Sequence, residues 1–206
     1  MPVTPQIPNA LVLLDYFGIA VFAVSGALLA AEKRQTLVTF IFFAVVTGMG
    51  GGTLRDLLIG APVFWVHVNA TFLICVAAAL LAWFTGPAWL AGKALLWFDA
   101  AGLGAYATYG AAKALGFGVA PVPAFAMGVL TACSGGIIRD VLAGEPSILM
   151  RPELYVTAAA LSSGLFVALA AMGVPLVAAA LVSALAGFAL RGLAIARGLS
   201  LPAYPE

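Results

Sequence analysis

Charge is what this chain has least of. Asp, Glu, Lys and Arg together make up 8% of its 206 residues, with a formal net charge of +1. A soluble domain clothes its surface with roughly 25% charged residues, so most of this surface faces something other than water. The near-neutral balance offers no basic field for nucleic acid and no acidic tail. Cysteine is almost absent: Cys75 and Cys133 both fall in apolar segments, and nothing pairs them into a disulfide framework. The single histidine, His67, has no companion His or Cys to make a metal site and reads as an interfacial residue. No Ser-His-Asp set, phosphate-binding loop or metal-ligand spacing occurs, which argues against an enzyme and against a bound cofactor. The opening MPVTPQIPNALVLLDYFG lacks a basic n-region and is interrupted by Asp15, which argues against a cleaved signal peptide.

What the chain does have is apolar length. Hydrophobic residues are 64% of it, and a span needs about 20 of them at ~1.5 Å rise to cross ~30 Å of hydrocarbon. Seven such runs predict helices near 11–31, 37–60, 67–85, 94–115, 121–143, 153–172 and 174–194. The chain is then one transmembrane domain over 1–206. Seven spans put the termini on opposite sides. Lys33, Arg34, Lys93, Arg151, Arg191 and Arg197 all fall towards one side, which the positive-inside rule makes cytoplasmic. The expected N-terminus is outside and the C-terminus inside.

Sliding the sequence against itself by 84 residues aligns Asp15–Pro62 with Asp99–Pro146 without a gap, roughly a third of the positions being identical. The polar matches are the informative ones. Asp15 falls on Asp99, Gly26-Ala27 on Gly110-Ala111, Thr47 on Thr131, Gly51-Gly52 on Gly135-Gly136, and Arg55-Asp56 on Arg139-Asp140. Low-complexity apolar chains match Leu and Ala by chance, but not Arg-Asp and Gly-Gly in register. The chain therefore reads as a three-helix repeat at 11–85, a second at 94–172, and a seventh helix at 174–194 without a repeat partner. Three spans is an odd number, so the second copy enters the membrane the other way up, with a pseudo-twofold axis in the membrane plane.

Helices two and five carry the unusual chemistry. Each runs about ten apolar residues and then meets a glycine cluster: Gly48, Gly50, Gly51 and Gly52 in one, Gly135 and Gly136 in the other. A glycine costs a helix interior about 1 kcal/mol relative to alanine. An isolated small-residue pair would read as a packing contact, but successive glycines repeated in register predict a break that frees backbone groups at membrane depth. Arg55, Asp56, Arg139 and Asp140 follow inside the apolar zone, where a lone charge costs on the order of 3 kcal/mol. They must pair or reach water. The topology sets Asp15 level with Arg55 and Asp99 level with Arg139, as a structural clamp between helices or as a charge network along a path. Lys113, whose repeat position is Leu29, either snorkels to the outer interface or puts a gating charge in the pathway.

The twice-repeated Gly-Gly-x-x-Arg-Asp-x-Leu-x-Gly, with Asp-x-x-Gly opening the preceding helix, resembles the trimeric intracellular cation (TRIC) channels and their prokaryotic homologues. The resemblance runs from Asp15 to about Arg191. It implies a homotrimer of seven-helix protomers in a prokaryotic inner membrane, each protomer holding a pore for monovalent cations, chiefly potassium, with sodium possible. It also implies that the broken stretches line that pore: Gly50, Gly51, Gly52 and Thr53 in helix two, Ser134, Gly135 and Gly136 in helix five. Lys113, on the helix that carries a basic regulatory residue in animal relatives, joins Arg55, Asp56, Arg139, Asp140, Asp15 and Asp99 as the gating and charge network. Its Ala-Ala-Lys-Ala setting lacks the longer basic signature of those relatives and so does not imply phosphoinositide regulation. The same repeat has been labelled a glycine-transporter domain, so a small-solute carrier is the alternative function.

Overall fold

The computed structural model describes residues 8–85 and 93–202. Among these, seven long helices account for nearly all the structure: α1 (Asn9–Glu32), α2 (Leu37–Leu58), α3 (Asn69–Thr85), α4 (Ala94–Gly116), α5 (Pro121–Leu142), α6 (Val156–Ala171) and α7 (Leu176–Arg197). Every expected span is present, with ends within three residues of the sequence reading. Four of them, α1, α2, α5 and α7, are long and apolar enough to cross a membrane, while α3 and α6 are apolar but shorter.

The chain is turned inside out relative to a soluble domain. Val38, Phe84, Val122 and Leu185 lie on the surface, while Asp15, Arg55, Asp56, Asp99, Lys113, Arg139, Asp140 and Arg191 are buried. Apolar exteriors cost nothing against lipid, whereas charges at that depth must be enclosed. The protein is an integral membrane protein.

Packing repeats as the sequence does. α1 lies against α2 and α3 as α4 lies against α5 and α6, and the two units meet through α1 against α4 and α2 against α5. α7 packs on α4 and α6. The direction of each crossing fixes the inversion. On α1 and α4, Gly18 makes room for the Tyr106 ring and Gly102 for the Phe22 ring, so residue numbers rise along one helix as they fall along the other. The two rings meet edge to face at 5.3 Å. On α2 and α5, Gly51 abuts Thr131 and Gly135 abuts Thr47, again antiparallel. Both crossings map onto themselves under the 84-residue shift, as a twofold axis requires.

The glycine stretches depart from the break that the sequence predicts. α2 and α5 are each continuous α-helices through Gly50–Gly52 and Ser134–Gly136, not broken segments. The glycines serve close approach instead. A Cβ built on Gly51 would lie 2.0 Å from the Thr131 carbonyl oxygen, and one on Gly135 would lie 2.4 Å from that of Thr47. In lipid, helix association relies on such backbone-to-backbone contact between small residues. A cross-helix bond strengthens the stretch, since the Tyr106 hydroxyl donates to the Gly48 carbonyl at 2.8 Å. The intrinsic penalty of glycine is thus offset by packing that only the partner helix supplies.

Candidate functional site

The Arg-Asp-x-Leu-x-Gly-x-Pro stretch builds the same local structure twice. Gly60 and Gly144, at φ +67° and +68°, end α2 and α5 in the left-handed region that a side chain would strain. The amides of Ala61 and Glu145 turn back to the Asp56 and Asp140 carbonyls, each at 2.9 Å. The chain then folds over the helix end into one 3-10 turn, Phe64–Val66 or Ile148–Met150. There the Phe64 amide donates to Asp56 Oδ2 and the Ile148 amide to Asp140 Oδ2, both at 3.0 Å. The second Asp oxygen accepts from the preceding arginine: Arg55 Nε to Asp56 Oδ1 at 2.8 Å, Arg139 Nε to Asp140 Oδ1 at 2.9 Å. The aspartate is a clasp that holds the turn with one oxygen and the guanidinium with the other.

The first cluster adds Lys113. Its Nζ lies 2.8 Å from Asp56 Oδ1 and 2.9 Å from Oδ2, and 5.7 Å from the Phe64 ring centroid. The Arg55 guanidinium lies over the rings of Tyr109 and Phe64, at 5.2 and 5.9 Å from their centroids. Asp15, 5% exposed, acts on Arg55 and Lys113 as a background charge, while the direct partner of Arg55 is its own neighbour Asp56. Of the two positions open to Lys113, the buried one is occupied.

The second cluster is built on Arg139. Its Nη1 donates to Asp99 Oδ1 at 2.7 Å and to the Ser25 hydroxyl. Asp99 and Arg139 therefore meet directly, at the level the topology set for them. Ser25 and Tyr109 are repeat partners that cross between units: the α1 residue serves the arginine of the second unit and the α4 residue serves that of the first. Neither was singled out in the sequence, though both lie one position before the matched Gly-Ala pair. Phe64 and Ile148 were also missed. Their signal was present in the matched Gly-x-Pro that brings each back over its helix.

The seven expected pathway residues separate into three groups. Gly51 and Gly135 are consumed by the helix crossing, and Gly50 faces Ile138. The hydroxyls of Thr53 and Ser134 turn back to carbonyls of their own helices, Met49 and Leu130. Gly52 and Gly136 do face the clusters: a Cβ on Gly52 would meet the Phe64 ring at 2.7 Å, and one on Gly136 would meet the Tyr155 hydroxyl at 2.9 Å and Asp99 Oδ1 at 3.5 Å. No group of three His, Cys, Asp or Glu side chains suited to a metal occurs among the described residues.

At the end of the molecule where α1 finishes, Lys33 donates to Glu145 of the turn after α5. That contact holds the Glu145 carboxyl below its usual range. The bridge is therefore present at neutral pH and lost as pH falls through the lowered value. Lys93 reaches the Ile195 carbonyl at 2.8 Å, which sets the C-terminal end of α7 at this same end.

The fold and its two enclosed charge clusters define an integral membrane protein made of inverted three-helix units. A family model described as "Glycine transporter" matches the chain twice, over residues 12–87 and 96–171, one match per unit. A UPF0126 membrane protein of Vibrio cholerae is 40% identical over 95% of this chain and 83% of its own length. The UPF0126 inner membrane protein YadS of Escherichia coli is 37% identical over 93% of this chain and 94% of its own. The solved structure of a TRIC trimeric intracellular cation channel orthologue from Rhodobacter sphaeroides superposes with a TM-score of 0.87 at 43% identity, covering 93% of this chain and all of that one. The chain belongs to the prokaryotic TRIC channel family, to which that glycine-transporter label also applies.

Proposed function

We propose that the protein is a monovalent cation channel permeable to potassium, assembled as a homotrimer with one pore per protomer. The observation that carries the reading is the inward-turned charge: two repeat-related Arg-Asp clusters enclosed by an apolar exterior in a fold shared with cation channels. Because α2 and α5 touch backbone to backbone at their crossing, the path runs beside them, past Gly52 and Gly136 and between the faces of α1, α2, α4 and α5. Lys113, bound to Asp56, closes it in the form described. The ammonium occupies the place beside Asp56 that a cation would need, and that carboxylate balances its charge, so it closes the path by filling it rather than as a free unit charge. Moving that lysine through the field contributes at most about 2.3 kcal/mol per 100 mV, so voltage dependence is shallow.

Planar-bilayer recording of purified protein in potassium chloride tests this. Unitary cation-selective currents are expected, and Lys113→Ala is expected to raise conductance or open probability while keeping cation over anion selectivity. Equal currents in wild type and Lys113→Ala would remove Lys113 from the gate. Solute uptake without unitary current would favour the carrier that the family description names.

The orientation has its own test. Lys33, Lys93, Arg151 and Arg197 gather at the end where α7 finishes, which supports a cytoplasmic C-terminus in a prokaryotic inner membrane. A C-terminal fluorescent-protein fusion is expected to glow and a C-terminal alkaline phosphatase fusion to be inactive. The opposite pair of results would invert the orientation.

A further inference from the structure

Around the repeat partners Leu29 and Lys113 the neighbours correspond one for one: Arg139, Asp140 and Ile148 at the first, Arg55, Asp56 and Phe64 at the second. What fills the two places differs. Beside Asp56 sits the Lys113 ammonium, in contact with both carboxylate oxygens and facing the Phe64 ring. Beside Asp140, the residues Leu29, Arg139, Asp140 and Ile148 instead line a cavity of about 290 Å³ that continues outward past Glu32, Lys93, Glu145 and Arg151. The charges differ in the same sense. The first cluster sets Arg55 and Lys113 against Asp15 and Asp56, two cations to two carboxylates. Among the buried groups, the second sets Arg139 against Asp99 and Asp140, leaving one carboxylate charge in excess there, while Lys93 and Arg151 are exposed residues of the outer lining. A buried cluster one cation short is the electrostatic complement of a mobile cation.

Resting on the channel reading above, we propose that Lys113 is a tethered cation standing at Asp56 where a permeant monovalent cation stands at Asp140, and that the apolar Leu29 is what leaves the second place open. Access is then one-sided: ions enter from the end where α7 finishes, as far as Asp140, and are stopped at Asp56. The pseudo-twofold brings the same Asp-Arg-Asp set to both ends, and within that setting Leu29 and Lys113 differ by a whole charge, so a single substitution at Leu29 should close the open end.

Two measurements on the full-length protein test it. In bilayers, Leu29→Lys is expected to lower conduction at least tenfold, with Leu29→Met close to wild type as the size control. In proteoliposomes of known orientation, a cysteine replacing Leu96 in the cavity wall is expected to react with a membrane-impermeant thiol reagent only from the C-terminal face. Leu29→Lys is expected to slow that reaction at least tenfold. A conducting wild type whose Leu29→Lys variant conducts equally would overturn the proposal. So would a cysteine at 96 that reacts from the other face or from neither, a result that stands even if Leu29→Lys does not fold. Absence of unitary current in the wild type would instead sink the channel reading, while the sidedness of labelling would still report on the cavity.

Discussion

Replacing Asp56 by alanine is expected to be the most damaging single loss of charge in the molecule, at about 3–5 kcal/mol of stability. The side chain has no exposure, and it serves three groups at once: the Arg55 guanidinium, the Lys113 ammonium and the Phe64 amide. Its removal strands two cations in the interior, with Asp15 left only as a background charge. The repeat supplies an internal control. Asp140→Ala strips the same clasp from Arg139, but Arg139 keeps Asp99 at 2.7 Å and no lysine is stranded, so the loss is smaller. Adding Lys113→Leu to Asp56→Ala should restore part of the stability, because one of the two orphaned cations is gone. Thermal melts in detergent, followed by size-exclusion chromatography, give the ranking. Equal melting of the Asp56 and Asp140 variants would mean that Lys113 does not depend on Asp56.

The second large effect comes from a single methyl group. In Gly51→Ala the new Cβ would lie 2.0 Å from the Thr131 carbonyl oxygen and 3.0 Å from its carbon. A carbon-to-oxygen contact needs about 3.3 Å, and the obstacle is helix backbone, which no rotamer change can move. The helices must part by roughly an ångström, undoing contact along the crossing. Overpacking ordinarily costs about 1–3 kcal/mol, and this site belongs at or above the top of that range. Gly135→Ala, 2.4 Å from the Thr47 carbonyl oxygen, should behave alike. Gly164→Ala meets only the Phe125 ring at 3.5 Å, and is expected to leave the melting temperature unchanged or higher, as alanine favours helix. A Gly51→Ala protein that melts with wild type would reopen the case for an unwound segment.

That contrast marks how far the sequence was legible. The same glycines support two readings, because composition records the helical penalty of glycine but not the helix that will lie against it. The penalty alone predicts a break; Thr131 and Thr47, about eighty residues away, turn the stretch into a seam. Arg55 shows the same limit from the side of charge. Topology put Asp15 level with it, correctly for its depth, yet a side chain has several partners within reach at one level. The turn at Gly60, which swings Phe64 over the helix end, orients Asp56 to take both Arg55 and Lys113.

What the sequence determined by itself is everything carried by period and register. Length and apolarity of the runs set seven helices, because a bilayer core allows few other ways to satisfy the backbone. The 84-residue match set two units, and the odd number of helices in each set their inversion. The fourfold occurrence of buried charge in those units, at Arg55-Asp56 and Arg139-Asp140, marked the interior. What only the tertiary structure decided is which atoms meet there: Arg139 with Asp99 and Ser25, Lys113 with Asp56, Gly51 with Thr131. These contacts join different helices, so their geometry depends on crossing angle and depth, and one-dimensional spacing holds neither.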